Sequence, residues 1–180
     1  PKTSSAASDV YKRQRRHGGG YVPNDPQFSS QWGLDQASDH DMNAPEAWMM
    51  TTGDPAIEVV VFDSGIQAGH PDLSLVPGQD FTGGNSDGSP NSSCDNHGTA
   101  VAGCVAATID NGIGIVGIAP NCRVKSGKIF NEIFFIVLCL PGLESQDSWT
   151  VAGINWAADS GARVTNSSWG GGGGSAAISS

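Results

Sequence analysis

The sequence predicts an α/β protein: a three-layer fold in which a mostly parallel sheet carries helices on both faces. Three observations predict it. Ile57 to Phe62 is an almost unbroken apolar run, as expected of a strand covered on both sides. Strand-like and helix-like stretches alternate after it, which is the pattern of a parallel sheet. The composition, 38% hydrophobic with 15% charged residues and 25 glycines in 180, suits one loop-rich domain with a real core better than a helical bundle or a disordered chain.

In chain order, residues 1–20 read as a tail. Pro1 to Gln14 is Ser/Ala-rich and aperiodic, like the translated adaptor scars at the ends of assembled transcripts, and is set aside from the fold. Gly18 to Gln36 reads as an extended arm rich in Gly, Pro and Asn. A helix is expected from Asn43, whose amide can cap it with Glu46 three residues on and Pro45 in the first turn, to about Thr51 before Gly53. The strand Ile57 to Phe62 leaves Asp63 at its carboxyl end, where the loops of open α/β sheets form a crevice that gathers reacting groups. Gly78 to Asn96 reads as a long polar loop. His97 to Thr108 reads as a helix of small residues able to approach the sheet closely. Arg123 to Lys125 and Arg163 to Ser168 read as further strands, with a helix from Thr150 to Ser160 between them, ended by Gly161. Ile129 to Leu140 breaks the rhythm with a continuous apolar run too short to span a membrane. It is either a buried strand or foreign sequence within residues 129–148, such as a retained intron or a frameshifted read.

The net charge of −9 argues against a nucleic-acid groove or an anionic membrane surface as partner, since both need clustered Lys and Arg. The basic run Lys12-Arg13-Gln14-Arg15-Arg16 is read as a solvated tail rather than a nuclear signal or processing site. Cys94, Cys104, Cys122 and Cys139 include no Cys-x-x-Cys pair and no His at zinc-ligand spacing, so no zinc site is expected. Disulfides in an oxidising compartment and buried free thiols are both open readings.

A carboxylate ending an apolar strand and a His opening a small-residue helix suit an Asp that orients an imidazole acting as general base. In this order the segments Asp63-Ser64-Gly65 and Asn96-His97-Gly98-Thr99 resemble the subtilisin-like serine proteases, whose triad runs Asp, His, Ser along the chain. Tyr21-Val22-Pro23-Asn24-Asp25-Pro26, Gln31-Trp32-Gly33-Leu34, Ala44-Pro45-Glu46-Ala47-Trp48, His70-Pro71-Asp72-Leu73, Gly117-Ile118-Ala119-Pro120 and Asn166-Ser167-Ser168-Trp169-Gly170-Gly171 extend the resemblance. Asp63-Ser64-Gly65 is nearer the thermitase branch than the kexin branch, which prefers Asp-Asp-Gly.

The resemblance implies a secreted, monomeric endopeptidase acting on polypeptides through an acyl-enzyme, with Asp63 as orienting acid and His97 as base. Ser168, Trp169 and Gly170 would line the first specificity pocket and pair with substrate as an added strand. On the opposite edge the family's Gly-Ser-Gly segment is replaced by Asn131 to Ser148. Structural calcium would take Asp25, Asp72, the Asn111 side chain and the carbonyls of Thr108, Ile113 and Ile115. A weaker site would use Asp80, Asp87, Ser89 and Asn91. His70 is assigned to loop structure, and Ala100 stands where many relatives carry a second His. No Gly-Thr-Ser segment or oxyanion Asn occurs through Ser180. The chain is therefore expected to be an amino-terminal part of a catalytic domain, 21–180, inactive and poorly stable by itself, with Ser64, Ser167 and Ser168 structural. The alternatives are a calcium-stabilised peptide-binding module without its nucleophile, which would need neither Asp63 nor His97, and a misassembled reading frame.

Overall fold

The computed structural model describes residues 20–93, 95–135 and 138–170. Four strands, β1 (Glu58–Asp63), β2 (Leu75–Asp80), β3 (Arg123–Lys128) and β6 (Val164–Asn166), form a sheet in the order β2-β3-β1-β6, and every pairing is parallel. The chain leaves β1 towards β2 and β3 and later returns to its other side as β6. The carboxyl end of β1, where Asp63 sits, is thus where the strand order switches.

Strand alternation decides what each face holds. Val59 and Val61 face α2 (His97–Ala106), packing with its Ala102 and Ala106 and with Ile66, Cys122 and Val124. Val60 and Phe62 face α3 (Asp147–Asp159), packing with Ala157, Ile129 and Phe130 and with the half-buried Trp149, Trp156 and Trp169. Each of these four β1 side chains contributes on the order of 1.5–3 kcal/mol by leaving water. Helices on opposite faces give the three layers the sequence implies. By the same alternation Asp63 lies on the α2 face, towards His97. A third cluster, Leu34, Ala44, Trp48 and Val116 with Phe28, joins the amino-terminal arm and α1 (Ala44–Trp48) to the chain beyond α2.

Several boundaries differ from the sequence reading. Asn43 adopts a left-handed backbone (φ 53°) and its side chain makes no cap bond to α1, which ends at Trp48 rather than Thr51. β2 occupies the start of the expected polar loop. Pro77 and Gly78 lie where its register with β3 shifts, since Pro cannot donate to the ladder and Gly tolerates close approach. A Cβ on Gly78 would fall 2.5 Å from the Ser126 carbonyl oxygen. β3 continues past Lys125 to Lys128, because its polar residues are buried with partners. α3 begins three residues before Thr150, and β6 is shorter than expected. The apolar run is not one strand: β4 (Asn131–Phe135) and β5 (Leu138–Glu144) pair antiparallel outside the main sheet. Cys104 and Cys122 are free thiols. Residues 1–19 and Cys94 lie outside the described residues, as does the side chain of Cys139. No helix among the described residues is long and apolar enough to cross a membrane.

Candidate functional site

Asp63 ends β1 with its side chain 1% exposed, and His97 is the first residue of α2, with 44% of its side chain exposed. Their facing atoms, Asp63 Oδ1 and His97 Nδ1, are 2.7 Å apart. An ionised carboxylate only accepts hydrogen bonds, so this geometry puts the proton on Nδ1 and leaves Nε2 to accept one from elsewhere. Oδ1 also accepts the Ser64 N–H at 2.7 Å, which fixes the carboxylate plane. Asp63 Oδ2 is buried, with no hydrogen-bond partner among the described residues.

A glycine makes the approach possible. A Cβ on Gly98 would sit 2.5 Å from the Gly65 carbonyl oxygen and 2.9 Å from Asp63 Cβ. The first turn of α2 therefore rests on the turn after β1, and the Gly98 N–H donates to Ser64 Oγ at 3.2 Å. That bond satisfies one of the helix's free amides and gives the Ser64 hydroxyl a structural task. Gly98→Ala is expected to destabilise the fold by about 1–3 kcal/mol through overpacking, measured as a lowered denaturation midpoint. An unchanged midpoint would remove this steric argument.

The expected substrate edge follows β6. Ser168 and Gly170 are exposed, while the Trp169 indole turns inward, donating to the Phe62 carbonyl at 2.9 Å and meeting the Phe130 ring edge-on at 5.2 Å. Ser168 Oγ donates to Asn166 Oδ1 at 2.8 Å. The edge thus offers backbone, held in place by an indole anchored one residue before Asp63.

The expected calcium ligands gather where the arm crosses the loop 108–116. Asp25 and Asp72 are each 4% exposed. Asp25 Oδ2 accepts the Asp110 N–H at 2.8 Å, and its Oδ1 is buried without a hydrogen-bond partner among the described residues. Asp72 Oδ1 accepts the Asn111 amide at 2.7 Å, and Asn111 Oδ1 accepts the Ile113 N–H at 2.8 Å. Among the described residues, no backbone bond of this loop ends on the carbonyls of Thr108, Ile113 or Ile115, while Gly114 O takes the Gln27 N–H at 2.9 Å. No three His, Cys, Asp or Glu side chains converge as a metal cluster among the described residues, and this ligand set contains only two carboxylates. His70 Nδ1 accepts the Asp72 N–H at 3.3 Å, a contact within its own turn.

Tyr21 adds a pH-dependent tie, donating to Asp110 Oδ2. That bond, which the phenolate cannot make, raises the phenol above its ordinary 10.0, and the charges of Asp110 and Asp25 add to the effect. A raised folded-state value means the contribution is complete below the unfolded value and is lost as pH climbs through the folded one. The melting difference between wild type and Tyr21→Phe should persist at neutral pH and close above pH about 10. A difference that stays constant there would contradict this tie.

Asp80 and Asp87 are differently placed. The Asp80 carboxylate accepts from Thr82 N and Oγ1, Gly84 N and Asn85 N, at 2.6 to 3.1 Å. Asp87 accepts from the Ser89 hydroxyl and N–H, which lowers its pKa. Asn91 bonds to Asn85 and Asn131 instead. The four expected ligands of the weaker site thus act mainly as turn-builders. A cavity of about 610 Å³ lies between the turn 67–73, the loop 89–96 and α2, bordered by His70, Asp72, Asn96, Thr99 and Ala100. It flanks the Asp63–His97 pair without including it. Sequence reasoning missed Asp95 and Lys128, buried beside the pair and bonded to each other at 3.2 Å.

The sequence pattern of the Subtilase family matches residues 54–180. Thermitase from Thermoactinomyces vulgaris is 35% identical over 155 residues, covering 84% of this chain and 49% of the relative. Halolysin from Haloferax mediterranei is 38% identical over 155 residues, covering 83% of this chain and 27% of the relative. The chain thus spans half or less of the length of these relatives. Among solved structures, a protease of Pseudoalteromonas arctica superposes with a TM-score of 0.68 at 32% identity, covering 86% of this chain and 53% of the other. The Asp63–His97 geometry and the family match lead to one conclusion: the chain belongs to the subtilase family of serine endopeptidases.

Proposed function

We propose that the protein carrying this sequence is a secreted, calcium-stabilised serine endopeptidase in which Asp63 and His97 are two members of the triad. The third, a serine, would lie beyond Ser180, as would the oxyanion amide; the 180 residues alone would bind and orient without cleaving. The single observation that carries the reading is the 2.7 Å contact between a buried carboxylate at a strand end and an exposed imidazole at a helix start.

The substrate lies as an added strand along Ser168–Gly170, held through main-chain hydrogen bonds that are indifferent to side-chain identity. His97 Nε2 takes the serine proton as the serine oxygen bonds to the scissile carbonyl carbon. The same proton passes to the departing amine as the C–N bond breaks, and water then hydrolyses the acyl-enzyme by the reverse roles. Asp63 holds Nδ1–H throughout and stabilises the imidazolium. Calcium is supported by the buried, unpartnered Asp25 Oδ1 and by the carbonyls of Thr108, Ile113 and Ile115. Calcium takes about six to eight oxygens of these kinds at flexible distances. Asn111 would turn its amide to offer Oδ1. Bound there, calcium would neutralise Asp25 and Asp72 and tie the arm to the loop, with no part in bond breaking.

The purified full protein should cleave an unfolded polypeptide, and His97→Ala should abolish cleavage while leaving the melting curve in place. Undiminished cleavage by His97→Ala would end this assignment.

A further inference from the structure

We infer that Lys128 is a positioning residue for the Asp63–His97 pair. The consequence for turnover rests on the endopeptidase reading above; the geometric claim does not. Lys128 is 0% exposed, and its Nζ donates to Ser64 O at 2.7 Å, Phe130 O at 2.6 Å and Asp95 Oδ2 at 3.2 Å. An ammonium has three donors, so all are committed, in three directions.

The acceptors are the pieces of chain that must meet for the site to form. Ser64 directly follows Asp63. Asp95 stands two residues before His97 and also accepts the Asn91 N–H at 2.9 Å, which orders the loop leading into α2. Phe130 leads into β4, and its N–H, with that of Ile129, donates to the Asp63 carbonyl at 3.2 and 3.0 Å. Lys128 itself is the register partner of Asp63 across β1 and β3. Ser64 is gripped from two sides, its carbonyl by Lys128 and its hydroxyl by Gly98 of α2. The spacing between the ends of β1 and α2 is therefore set through one buried cation.

Stability alone does not account for this arrangement. A buried ion pair loses much of its attraction to desolvation and is often matched or exceeded in stability by apolar residues of similar volume. Three directional bonds supply what an apolar pair would not, a fixed geometry.

The test uses the full protein and the NMR resonance of the His97 Nδ1 proton, assigned by its disappearance in His97→Gln. Lys128→Met, which takes the ammonium away from the buried Asp95 carboxylate, should lose this resonance and also lower the melting midpoint. The double variant Lys128→Met/Asp95→Leu should regain the midpoint without regaining the resonance. Its kcat should stay about 100-fold low with KM unchanged, the size expected of a misplacement near 1 Å. Recovery of midpoint and resonance together in the double variant, or a resonance retained in Lys128→Met, would overturn the inference. A wild-type protein that cleaves nothing would sink the endopeptidase reading, while the resonance would still decide the role of Lys128.

Discussion

Asp63→Asn in the full protein should lower kcat by about 10⁴ with little change in KM, the size of effect seen for this carboxylate-to-amide change in a serine-protease triad. The geometry explains why so small a change costs so much. Asp63 Oδ1 must accept from Ser64 N–H and face His97 Nδ1, both at 2.7 Å. An asparagine that keeps oxygen at this position buries its amide hydrogens where Asp63 Oδ2 now has no partner, at about 1–3 kcal/mol for the orphaned group. One that turns its nitrogen to His97 opposes two donors at Ser64 and drives the imidazole to the tautomer protonated on Nε2. That tautomer cannot take the serine proton. Steady-state kinetics of the variant check this, and a kcat within tenfold of wild type would mean that Asp63 does not set the His97 tautomer.

Chelation of calcium should lower stability by about 4 kcal/mol when the reference contains calcium a thousandfold above its dissociation constant. Asp25 and Asp72 are buried beside a loop that carries a further acid, Asp110. Without a cation, that end of the fold concentrates negative charge in low dielectric, which is costly. The arm would detach first, since its ties to the loop, Tyr21 to Asp110, Asn24 to Gly112 and Gln27 to Gly114, border the same site. Thermal unfolding with calcium and with chelator measures the difference, and Asp25→Asn should largely remove it. Magnesium should not substitute, because it demands near-octahedral geometry at shorter distances. Identical curves with and without calcium would exclude a structural ion here.

Much of this was legible in the chain because the site lies where patterning is strongest. Val59 to Phe62 reads as a doubly covered strand, and its end necessarily delivers Asp63 to the crevice. Gly98, Ala102 and Ala106, four apart, mark one face of a helix that can come close, and His97 opens it. What was obscured obeys other physics. β2 was hidden by Pro77 and Gly78, which break the alternation that identifies strands. The end of β3 was hidden by Ser126 and Lys128, polar residues that are buried because neighbours distant in sequence satisfy them. No local pattern announces a lysine whose three acceptors lie at positions 64, 95 and 130. By motif Trp169 reads as a substrate-edge residue, with a place in the core beside a Gly-rich strand end as the alternative. Its inward anchor on Phe62 required the fold.

The central claim, that Asp63 and His97 serve an active serine nucleophile, is tested most directly by a fluorophosphonate probe on the full protein, with the labelled peptide mapped by mass spectrometry. Stoichiometric labelling of one serine, on a peptide beyond Ser180 and lost in His97→Ala, is the predicted result. Absence of labelling in a folded, calcium-loaded protein would contradict it and identify a binding module that keeps the acid and base without the chemistry.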